Sequence, residues 1–509
     1  MREIILDGKS MTLEDIMSIG NVSTKISISE SARKMMAKSR EHVESILEGD
    51  NSVYGINTGF GSLSNVRIDP SQLQQLQRNL ILSHACGIGP IMNPITSLRM
   101  LAIRANSLTM GVSGIRPEVV DTMLDLVNSG YAPIIPSVGS LGASGDLAPL
   151  AHMAMSLIGE GQFMHRQGDE WAEIPSKTVF EKIGVEPVIL SAKEGLSLIN
   201  GTSQMAAYLA EAAEYADRLC AAADAACAMS VEAIAGSHKP FDPRIHDVRS
   251  QPGQRVSANR ILSHLQDSQI NKSHEECRRV QDAYSFRCAP QVHGAAMDVI
   301  KSSKDIAISD VNSATDNPLI LEDGHGGYDV LSGGNFHGEP LALAADNLAA
   351  AIHEICSISE RRTNQMLMPS WSGLPAYLAK NSGLESGLMI MQYVSAAAIA
   401  RIRLLASPAA LTNIPVSGGK EDHVSMGSTA CQRLEEICSL AAAVLGNEML
   451  VASAALDLRE HKPGKGVERY HEMVRSVSDP IDGDRSMSGD TNRMAKMILG
   501  GMEDSNVSK

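Results

Sequence analysis

Three consecutive small residues, Ala143, Ser144 and Gly145, are the part of the sequence best suited to unusual chemistry. Small side chains let a backbone fold back on itself, and glycine adopts dihedral angles that other residues avoid. If the amide nitrogen of Gly145 attacks the carbonyl carbon of Ala143, a five-membered ring closes. Loss of two waters, one of which takes the Ser144 hydroxyl, then leaves a methylidene-imidazolone (MIO). The tripeptide therefore predicts an electrophile that is built from the chain itself.

The residues around the tripeptide argue against two other kinds of loop. A serine-hydrolase elbow requires the pattern G-x-S-x-G, and the fifth position here is Asp146. A phosphate-binding loop would end in Gly-Lys followed by Ser or Thr, which this segment lacks. An ordinary turn before a helix remains the alternative for the tripeptide alone, because glycine and serine are common in turns.

The twelve residues from Gly139 to Leu150 resemble the cofactor-forming segment of the MIO-dependent ammonia-lyases and aminomutases. Six further segments resemble the same family, and its histidine-type members in particular, in the family's order along the chain. They are YGINTGFG at 54–61, LSHACG at 82–87, NGT at 200–202, QDAYSFRC at 281–288, GGNFH at 333–337 and EDHVSM at 421–426. The resemblance extends over residues 4–460, which is most of the chain.

The resemblance implies a mainly α fold with a long central helical bundle and a smaller mixed α/β N-terminal part, as in the fumarase/aspartase-like superfamily. The composition agrees, because 43% hydrophobic and 20% charged residues are ordinary for a globular protein of 509 residues. We expect an N-terminal domain at 1–112, which contributes Tyr54 and the Ser83-His84 pair. A helical-bundle domain containing the MIO is expected at 113–509.

Apolar periodicity and capping residues predict the individual elements. Helices are expected at 29–48 (with Ser29 as cap and Gly49 as stop), 94–110, 117–127, 147–158, 203–235, 341–358, 387–405 and 427–458. Short strands are expected at 4–6 and on both sides of a turn at 323–327. The 387–405 helix is apolar on nearly all sides, which predicts burial among other helices. Rising charge, Pro and Gly after Glu460 predict a loosely held tail.

Charge and cysteine usage narrow the possible partners. A net charge of −15 argues against nucleic acid and anionic membranes as partners. The 8 cysteines form no C-x-x-C pair and the histidines no H-E-x-x-H motif, so no metal site is predicted. The short polar start and the absence of an uncharged apolar run of about 18 residues predict a cytoplasmic protein.

Eliminating ammonia from an aromatic α-amino acid requires removal of a weakly acidic β-proton and departure of a poor leaving group. An electrophile and a positioned base address these two problems. The resemblance implies catalytic roles for Tyr54, Tyr284 and Glu421 beside Ala143, Ser144 and Gly145. Tyr54 would be the β-proton base, with a pKa lowered by positive charge or donated hydrogen bonds. Tyr284 would lie near the substrate amine.

The resemblance also implies a set of binding residues. Arg287 would form a bidentate pair with the substrate carboxylate, a geometry that a guanidinium fits well. Asn200 and Gln291 would hydrogen-bond the MIO or the carboxylate, and Asn335 and Phe336 would line the same site. Asn200 is therefore the residue that the resemblance assigns to cofactor binding as well.

Two positions indicate which amino acid is bound. Ser83-His84 is the histidine-type pair, and a neutral imidazole at His84 can exchange hydrogen bonds with a substrate imidazole. Glu421 could accept a hydrogen bond from the substrate ring N–H, which a phenyl ring lacks. The neighbouring Lys420 and Cys86 depart from the residues usual in this family. The resemblance thus implies conversion of L-histidine to trans-urocanate and ammonia by a homotetramer with shared active sites. A phenylalanine- or tyrosine-specific lyase, a 2,3-aminomutase and a catalytically silent binding protein remain alternatives.

Overall fold

The computed structural model describes residues 2–49, 52–59, 67–168, 170–274 and 280–502. The fold is mainly α, as predicted. The helices are α1 (Leu13–Ser18), α2 (Glu30–Glu48), α3 (Leu73–His84), α4 (Pro94–Thr109), α5 (Pro117–Asn128), α6 (Leu147–Leu157), α7 (Ser176–Ile183), α8 (Glu194–Ile199), α9 (Ser203–Ala233), α10 (Pro243–Asp247), α11 (Pro252–His264), α12 (Gln269–Ser273), α13 (Tyr284–Arg287), α14 (Ala289–Val311), α15 (Glu339–Leu367), α16 (Pro369–Ser372), α17 (Met389–Leu405), α18 (Gly427–Gln432), α19 (Leu434–Leu456), α20 (Lys465–Arg475) and α21 (Ser488–Gly500).

The strands form small separate sheets. They are β1 (Arg2–Leu6), β2 (Thr24–Ile28), β3 (Ile88–Ile91), β4 (Tyr131–Pro133), β5 (Pro136–Val138), β6 (Gln162–Gln167), β7 (Glu170–Pro175), β8 (Leu319–Glu322) and β9 (Tyr328–Leu331). β1 and β2 pair in parallel, with Arg2 opposite Thr24. β3 pairs with β5, β6 lies between β4 and β7, and β8 pairs with β9, all antiparallel. The two strands around 323–327 therefore exist as predicted.

The local signals in the sequence explain where several helices begin and end. The Ser29 hydroxyl accepts a hydrogen bond from the Ala32 N–H, and α2 stops at Gly49. Proline occupies the first position of both α4 and α5, where its missing N–H costs no helical hydrogen bond. The predicted helices at 29–48, 94–110, 117–127 and 147–158 are therefore confirmed to within a residue or two at their ends.

The chain divides into two compact units. The first contains 1–211, 303–346 and 408–432, and the second contains 212–302, 347–407 and 433–509. All of the strands named above fall in the first unit, which is therefore the mixed part of the fold. The unit boundaries at 211, 302 and 346 lie inside α9, α14 and α15. This grouping differs from the predicted domain boundary after residue 112, which stays a prediction.

The second unit is helical, and its C-terminal part corrects one prediction. The segment after Glu460 forms α20 and α21, whose residues Val467, Val474, Met494 and Ile498 are buried. A methyl group added at Gly446 of α19 would lie 3.0 Å from the Cβ of Met494, so the two helices approach closely. The prediction of a loosely held tail is wrong for residues up to 502, because each of the two helices buries a stripe of its surface, which in α21 includes Asp490.

The 387–405 helix corrects a second prediction. It exists as α17, but its buried residues are only Met391, Ser395 and Ile402. Large apolar side chains on its other faces are about half exposed or more, at 52% for Ile390, 58% for Tyr393, 48% for Val394 and 70% for Leu404. The predicted burial is therefore wrong within this chain, because apolar residues surround the helix while neighbouring helices cover one side.

Two helical segments, 339–367 and 427–456, have the length and apolar composition that a membrane crossing would need. In each, most of the apolar window is buried inside the protein, 61% in the first and 83% in the second. Core helices of globular proteins show the same combination. The second segment is interrupted at Arg433, between α18 and α19.

Candidate functional site

The tripeptide Ala143-Ser144-Gly145 lies between β5 and α6 in the first unit, pressed against the backbone at Gly201. Gly145 has φ +73°, and a Cβ at this position would lie 2.1 Å from the Gly201 carbonyl oxygen. The Asp146 N–H donates to the same Gly201 oxygen at 2.7 Å. Only glycine fits this conformation and this approach, so the position tolerates no side chain.

Asn200 and Glu421 contact the middle residue of the tripeptide from two different segments. Asn200 ends α8, and its side-chain amide nitrogen donates to the Ser144 carbonyl oxygen at 2.7 Å. The Ser144 hydroxyl donates to Oε1 of Glu421 at 3.3 Å. The structure therefore brings together three of the residues that the sequence assigns to the site.

Gly142 joins two further segments to the same loop. Its carbonyl oxygen accepts a hydrogen bond from the Ser425 hydroxyl at 2.9 Å and one from the Gly338 N–H at 3.3 Å. The Met426 N–H donates to the Leu141 carbonyl at 2.8 Å. The segments that carry Glu421 and Asn335-Phe336 are therefore both fixed to the loop by their backbones. Phe336 is half-buried, while Asn335 is exposed and donates to the Ala314 carbonyl at 3.1 Å.

Asp146 connects the loop to the first turn of α9. Its buried carboxylate accepts from the N–H groups of Gln204 and Met205, at 2.9 and 3.1 Å, and from the Ser140 hydroxyl at 3.1 Å. Burial raises the pKa of Asp146 to about 7, and the three donated hydrogen bonds act in the opposite direction. The aspartate thus holds the C-terminal side of the tripeptide against α9.

Ser83 and His84 lie at the end of α3, and Gly87 a few residues later packs against the loop segment. A Cβ at Gly139 would lie 3.2 Å from the Cα of Gly87. Nδ1 of His84 is 2.8 Å from the Leu80 carbonyl oxygen and 3.0 Å from the Ser83 hydroxyl. Because a carbonyl only accepts, the Leu80 contact assigns the proton to Nδ1 and leaves Nε2 as an acceptor.

Tyr54 is half-buried on a turn in the first unit, and the structure describes its motif only as far as residue 59. The neighbouring Gly55 has φ +77°, and a Cβ there would lie 2.9 Å from Cδ of Pro318 and 3.0 Å from Cδ2 of Leu196. The turn is therefore held against α8, the helix that ends at Asn200. The last part of the YGINTGFG motif, Phe60 and Gly61, lies outside the described residues.

Tyr284, Arg287 and Gln291 belong to the second unit. The Arg287 guanidinium lies over the Tyr284 ring, 4.4 Å from its centroid, as their separation by three residues predicts. The Tyr284 side chain is otherwise largely exposed, at 71%. Oε1 of Gln291 is buried and has no hydrogen-bond partner among the described residues. A buried amide oxygen without a partner is costly, so Gln291 is suited to receive a donor from a ligand.

Several residues that shape the loop were not identified from the sequence. Ser140 and Ser425 lie in the segments that resemble the family but receive no role from the sequence, because they, like Arg104, bond to backbone carbonyls of the loop or its neighbours. The one signal for Arg104 is a charged residue between the apolar residues Ile103 and Ala105 of α4, and Arg99 of the same helix shares that signal. Among the described residues, no group of three or more His, Cys, Asp or Glu side chains is arranged to hold a metal ion.

Comparison with known proteins agrees with this geometry. The family model of aromatic amino acid lyases matches residues 11–476. The chain therefore belongs to the aromatic amino acid lyase family, and it is a lyase.

Individual relatives have names that are narrower than the description of the family. A histidine ammonia-lyase of Myxococcus xanthus (strain DK1622) is 47% identical over 499 residues, which are 98% of this chain and 97% of that protein. The crystal structure of histidine ammonia-lyase from Trypanosoma cruzi is 38% identical, with a TM-score of 0.90 over 98% of this chain and 94% of its own. Tyrosine aminomutase from Streptomyces globisporus is 31% identical, with a TM-score of 0.91 over 98% of this chain and 97% of its own. These likenesses confirm the predicted mainly α, fumarase/aspartase-like fold class.

Proposed function

We propose that this protein is a histidine ammonia-lyase that converts L-histidine to trans-urocanate and ammonia. The observation that carries the proposal is the position of Ser144, with Asn200 bonded to its carbonyl and Glu421 bonded to its hydroxyl. The similarity to histidine ammonia-lyases over 98% of the chain supports the same substrate.

The residues at the loop fit an MIO formed from Ala143, Ser144 and Gly145. Gly145 has the positive φ and the closeness to Gly201 that exclude any larger residue, and Ala143 and Ser144 are small. The Asn200 amide would hold the carbonyl oxygen that Ser144 contributes to the ring. When formed, an MIO supplies an electrophile that assists departure of the substrate amine, and the proposed enzyme needs no external cofactor.

His84 and Glu421 account for the choice of histidine. Nε2 of His84 is left as an acceptor, and the Glu421 carboxylate is a second acceptor near Ser144. A substrate imidazole offers an N–H to such groups, whereas a phenyl or phenol ring leaves an acceptor unpaired inside the site. The Leu80 carbonyl holds the Nδ1 proton of a neutral His84 ring, and the Ser83 hydroxyl can accept from the same N–H. A site built to bond a ring N–H rejects analogues without it by large factors.

The remaining roles follow from side-chain chemistry and the family resemblance. Tyr54 removes the β-proton, and Tyr284 lies beside the substrate amine. Arg287 pairs with the substrate carboxylate, and Gln291 donates a hydrogen bond from its side-chain amide N–H to that carboxylate or to the MIO. Asn335 and Phe336 line the same site.

Replacing Ser144 by alanine tests the proposal most directly. We expect the purified wild-type chain to be lighter than its sequence mass by two waters and to produce the ultraviolet band of urocanate from L-histidine. Ser144→Ala should have the full sequence mass and no measurable turnover. Ser156→Ala, which removes a buried serine hydroxyl from α6, is the matched control and should keep both properties. A wild-type chain of full sequence mass that still turns over histidine would contradict the proposal.

An aromatic amino acid lyase or aminomutase acting on tyrosine or phenylalanine is the second candidate, favoured by the likeness to a tyrosine aminomutase. Incubation with histidine, tyrosine and phenylalanine in parallel separates the candidates by the band of urocanate, coumarate or cinnamate and by the β-amino acid formed. We expect kcat/KM for histidine to exceed the others by about 10⁴-fold or more. Glu421→Gln should reduce that ratio, since the amide is a weaker acceptor than the carboxylate.

We also propose a cytoplasmic homotetramer with active sites shared between subunits. The exposed apolar side chains of α17 support association, because large exposed apolar patches commonly mark interfaces. Light scattering after size exclusion measures the mass directly. Replacing Leu404 and Tyr393 together by serine should lower the assembly state if α17 lies in an interface.

A further inference from the structure

A fully buried arginine lies behind the loop, in the interior of α4. Arg104 has no exposed surface, and its guanidinium donates to backbone carbonyls and one hydroxyl. Nη2 bonds the carbonyl oxygen of Asn200 at 2.8 Å, Nε bonds that of Ser197 at 3.1 Å, and Nη1 bonds the Thr315 hydroxyl at 3.3 Å. Ser197 and Asn200 are at the C-terminal end of α8, where a positive charge is favoured by the helix dipole.

This guanidinium differs from most buried charges in having no carboxylate partner. Among the described residues it forms no ion pair, and the charges of Asp316 and Asp146 act on it only at longer range. A buried cation without a bonded anion is costly unless its donors are satisfied by other groups. The bonds of Arg104 therefore serve to hold backbone carbonyls in place rather than to neutralise a charge.

The backbone that Arg104 holds is the same one that touches the tripeptide. Asn200 donates its side-chain amide to the Ser144 carbonyl, and the Gly201 carbonyl accepts from the Asp146 N–H. A Cβ at Gly201 would lie 2.1 Å from Nη1 of Arg104, so the guanidinium packs directly against this peptide. The two hydrogen bonds on either side of the Gly145 position thus both originate from a dipeptide that Arg104 holds in place.

We propose that Arg104, aided by Thr315, is a positioning residue for formation and use of the electrophile, acting through Asn200 and Gly201. This inference rests on the proposed function. Ring closure requires the Gly145 nitrogen to approach the Ala143 carbonyl carbon, and an approach error of about 1 Å costs on the order of 10²-fold in rate. Arg104 limits that error because it holds the Asn200–Gly201 dipeptide, which bonds the Ser144 carbonyl and the Asp146 N–H on the two sides of Gly145.

The experiment compares substitutions of Arg104 with the same substitutions of Arg99. Arg99 lies five residues earlier in α4, is also buried, and donates to the backbone carbonyls of Ile16 and Met17 and to Glu211. It is therefore a matched control for loss of a buried guanidinium from this helix. Arg104→Met, Arg104→Lys, Arg99→Met and Arg99→Lys are purified as the full assembled protein.

Three quantities are measured for each variant: the fraction of chains lighter by two waters, kcat and KM for L-histidine, and the circular dichroism spectrum. We expect Arg104→Met to fold but to show a lower fraction of dehydrated chains and a kcat reduced by about 10²-fold, with KM changed by less than about threefold. Arg104→Lys, which keeps a cation and donors near Asn200, should recover most of both properties. The Arg99 variants should keep the wild-type mass and a kcat within about threefold of the wild type.

Thr315→Val keeps the proposal testable if Arg104→Met does not fold. It removes the acceptor of Nη1 without changing a charge, and we expect a smaller loss in the same two quantities, about 3- to 10-fold in kcat. The proposal is overturned if folded Arg104→Met matches Arg99→Met in dehydrated fraction and kcat, or if folded Thr315→Val matches the wild type in both. If the wild-type chain itself has the full sequence mass, the proposed function has failed, and this result is distinct from equality among the variants.

Discussion

Two fully buried arginines, one in each unit, satisfy their buried guanidinium groups with different partners. Arg362 in the second unit forms a bidentate ion pair with Glu448, with Nη2 2.8 Å from Oε2, and Ser230 also donates to that carboxylate at 2.7 Å. Burial lowers the pKa of Arg362, but the charge of Glu448, its hydrogen bond and the other nearby acidic groups together raise that pKa overall. Arg104 in the first unit bonds backbone carbonyls instead, and burial lowers its pKa.

The difference indicates what each arginine contributes. The Arg362–Glu448 pair neutralises its own buried charges, so its main effect is on the stability of the helices that carry it, although Arg362 also donates to the Ser285 carbonyl at 3.2 Å. Arg104 has no bonded anion, and its N–H groups donate hydrogen bonds to the peptide carbonyls beside the tripeptide. The two regions should therefore respond differently when a buried charge is removed.

The largest expected effect is on stability at the paired site. Arg362→Met leaves the Glu448 carboxylate buried without its main partner, and we expect the free energy of unfolding to fall by about 3–5 kcal/mol. Arg104→Met leaves no charge behind and should cost about 1–3 kcal/mol for the unpaired carbonyls. Urea unfolding followed by circular dichroism measures both values.

The double variant Arg362→Met with Glu448→Met is the control for this prediction. Because both charges are then absent, it should regain much of the lost stability. An Arg104→Met variant that loses as much stability as Arg362→Met, or a double variant no better than the single one, would remove the contrast between the two regions.

A second prediction concerns Asp310 and the dependence of the free energy of unfolding on pH. It is half-buried in the first unit, accepts a hydrogen bond from the Thr202 hydroxyl at 2.5 Å, and the loss of water around its carboxyl raises its pKa to about 6. The native carboxyl therefore binds its proton more tightly than the unfolded one. Its stabilising contribution is complete below about pH 4 and is lost as the pH rises through 6.

Asp310→Asn should lack this dependence on pH. The unfolding free energy of the wild type relative to the variant should fall by about 3 kcal/mol between pH 4 and pH 7. Thr202→Val, which removes a hydrogen bond to the ionised form, should move the midpoint of that fall to higher pH. A difference that stays flat or rises with pH would show that the carboxyl is ionised in the native protein throughout.

The smallest expected effect comes from adding a methyl group beside Arg104. Gly201→Ala places a Cβ 2.1 Å from Nη1 and 2.8 Å from the Thr315 hydroxyl oxygen, so we expect a loss of about 1–3 kcal/mol. Gly184→Ala is the control, because Gly184 has φ +72° but open space around it, and it should lose about 1 kcal/mol.

A double-mutant cycle then measures the contact itself. In the Arg104→Met background the added methyl group at Gly201 should cost less than in the wild type, since the rigid guanidinium is gone. Additive losses would mean that Arg104 does not determine the position of the Gly201 peptide.

Much of the fold followed from local signals in the sequence. Ser29 and Gly49 bound α2, and prolines begin α4 and α5, because capping and the missing proline N–H act within one turn of the chain. The contact of Asn200 with Ser144 and that of Ser144 with Glu421 agree with the motif resemblance. The role of Arg104 did not follow, since its partners are carbonyl groups that every residue possesses.

The two errors in the predicted fold have physical reasons as well. The periodicity of α17 shows that its surface is apolar but does not show what covers it, and most of that surface is exposed in the single chain. The expectation of a loosely held C-terminal region rests on its average polarity. Its helices nevertheless bury a narrow stripe, including Met494 and Ile498, that an average conceals.

The hydrogen bonds from Gln204 and Met205 to Asp146 have a consequence for how a population of molecules can be studied. They tie the start of a 31-residue helix to the residue after Gly145. Under the proposed function, a chain can lose its two waters only after this helix has docked, and the loss is permanent. The mass of each molecule would then be a lasting record of whether it had ever reached the native arrangement, even when it is weighed after denaturation.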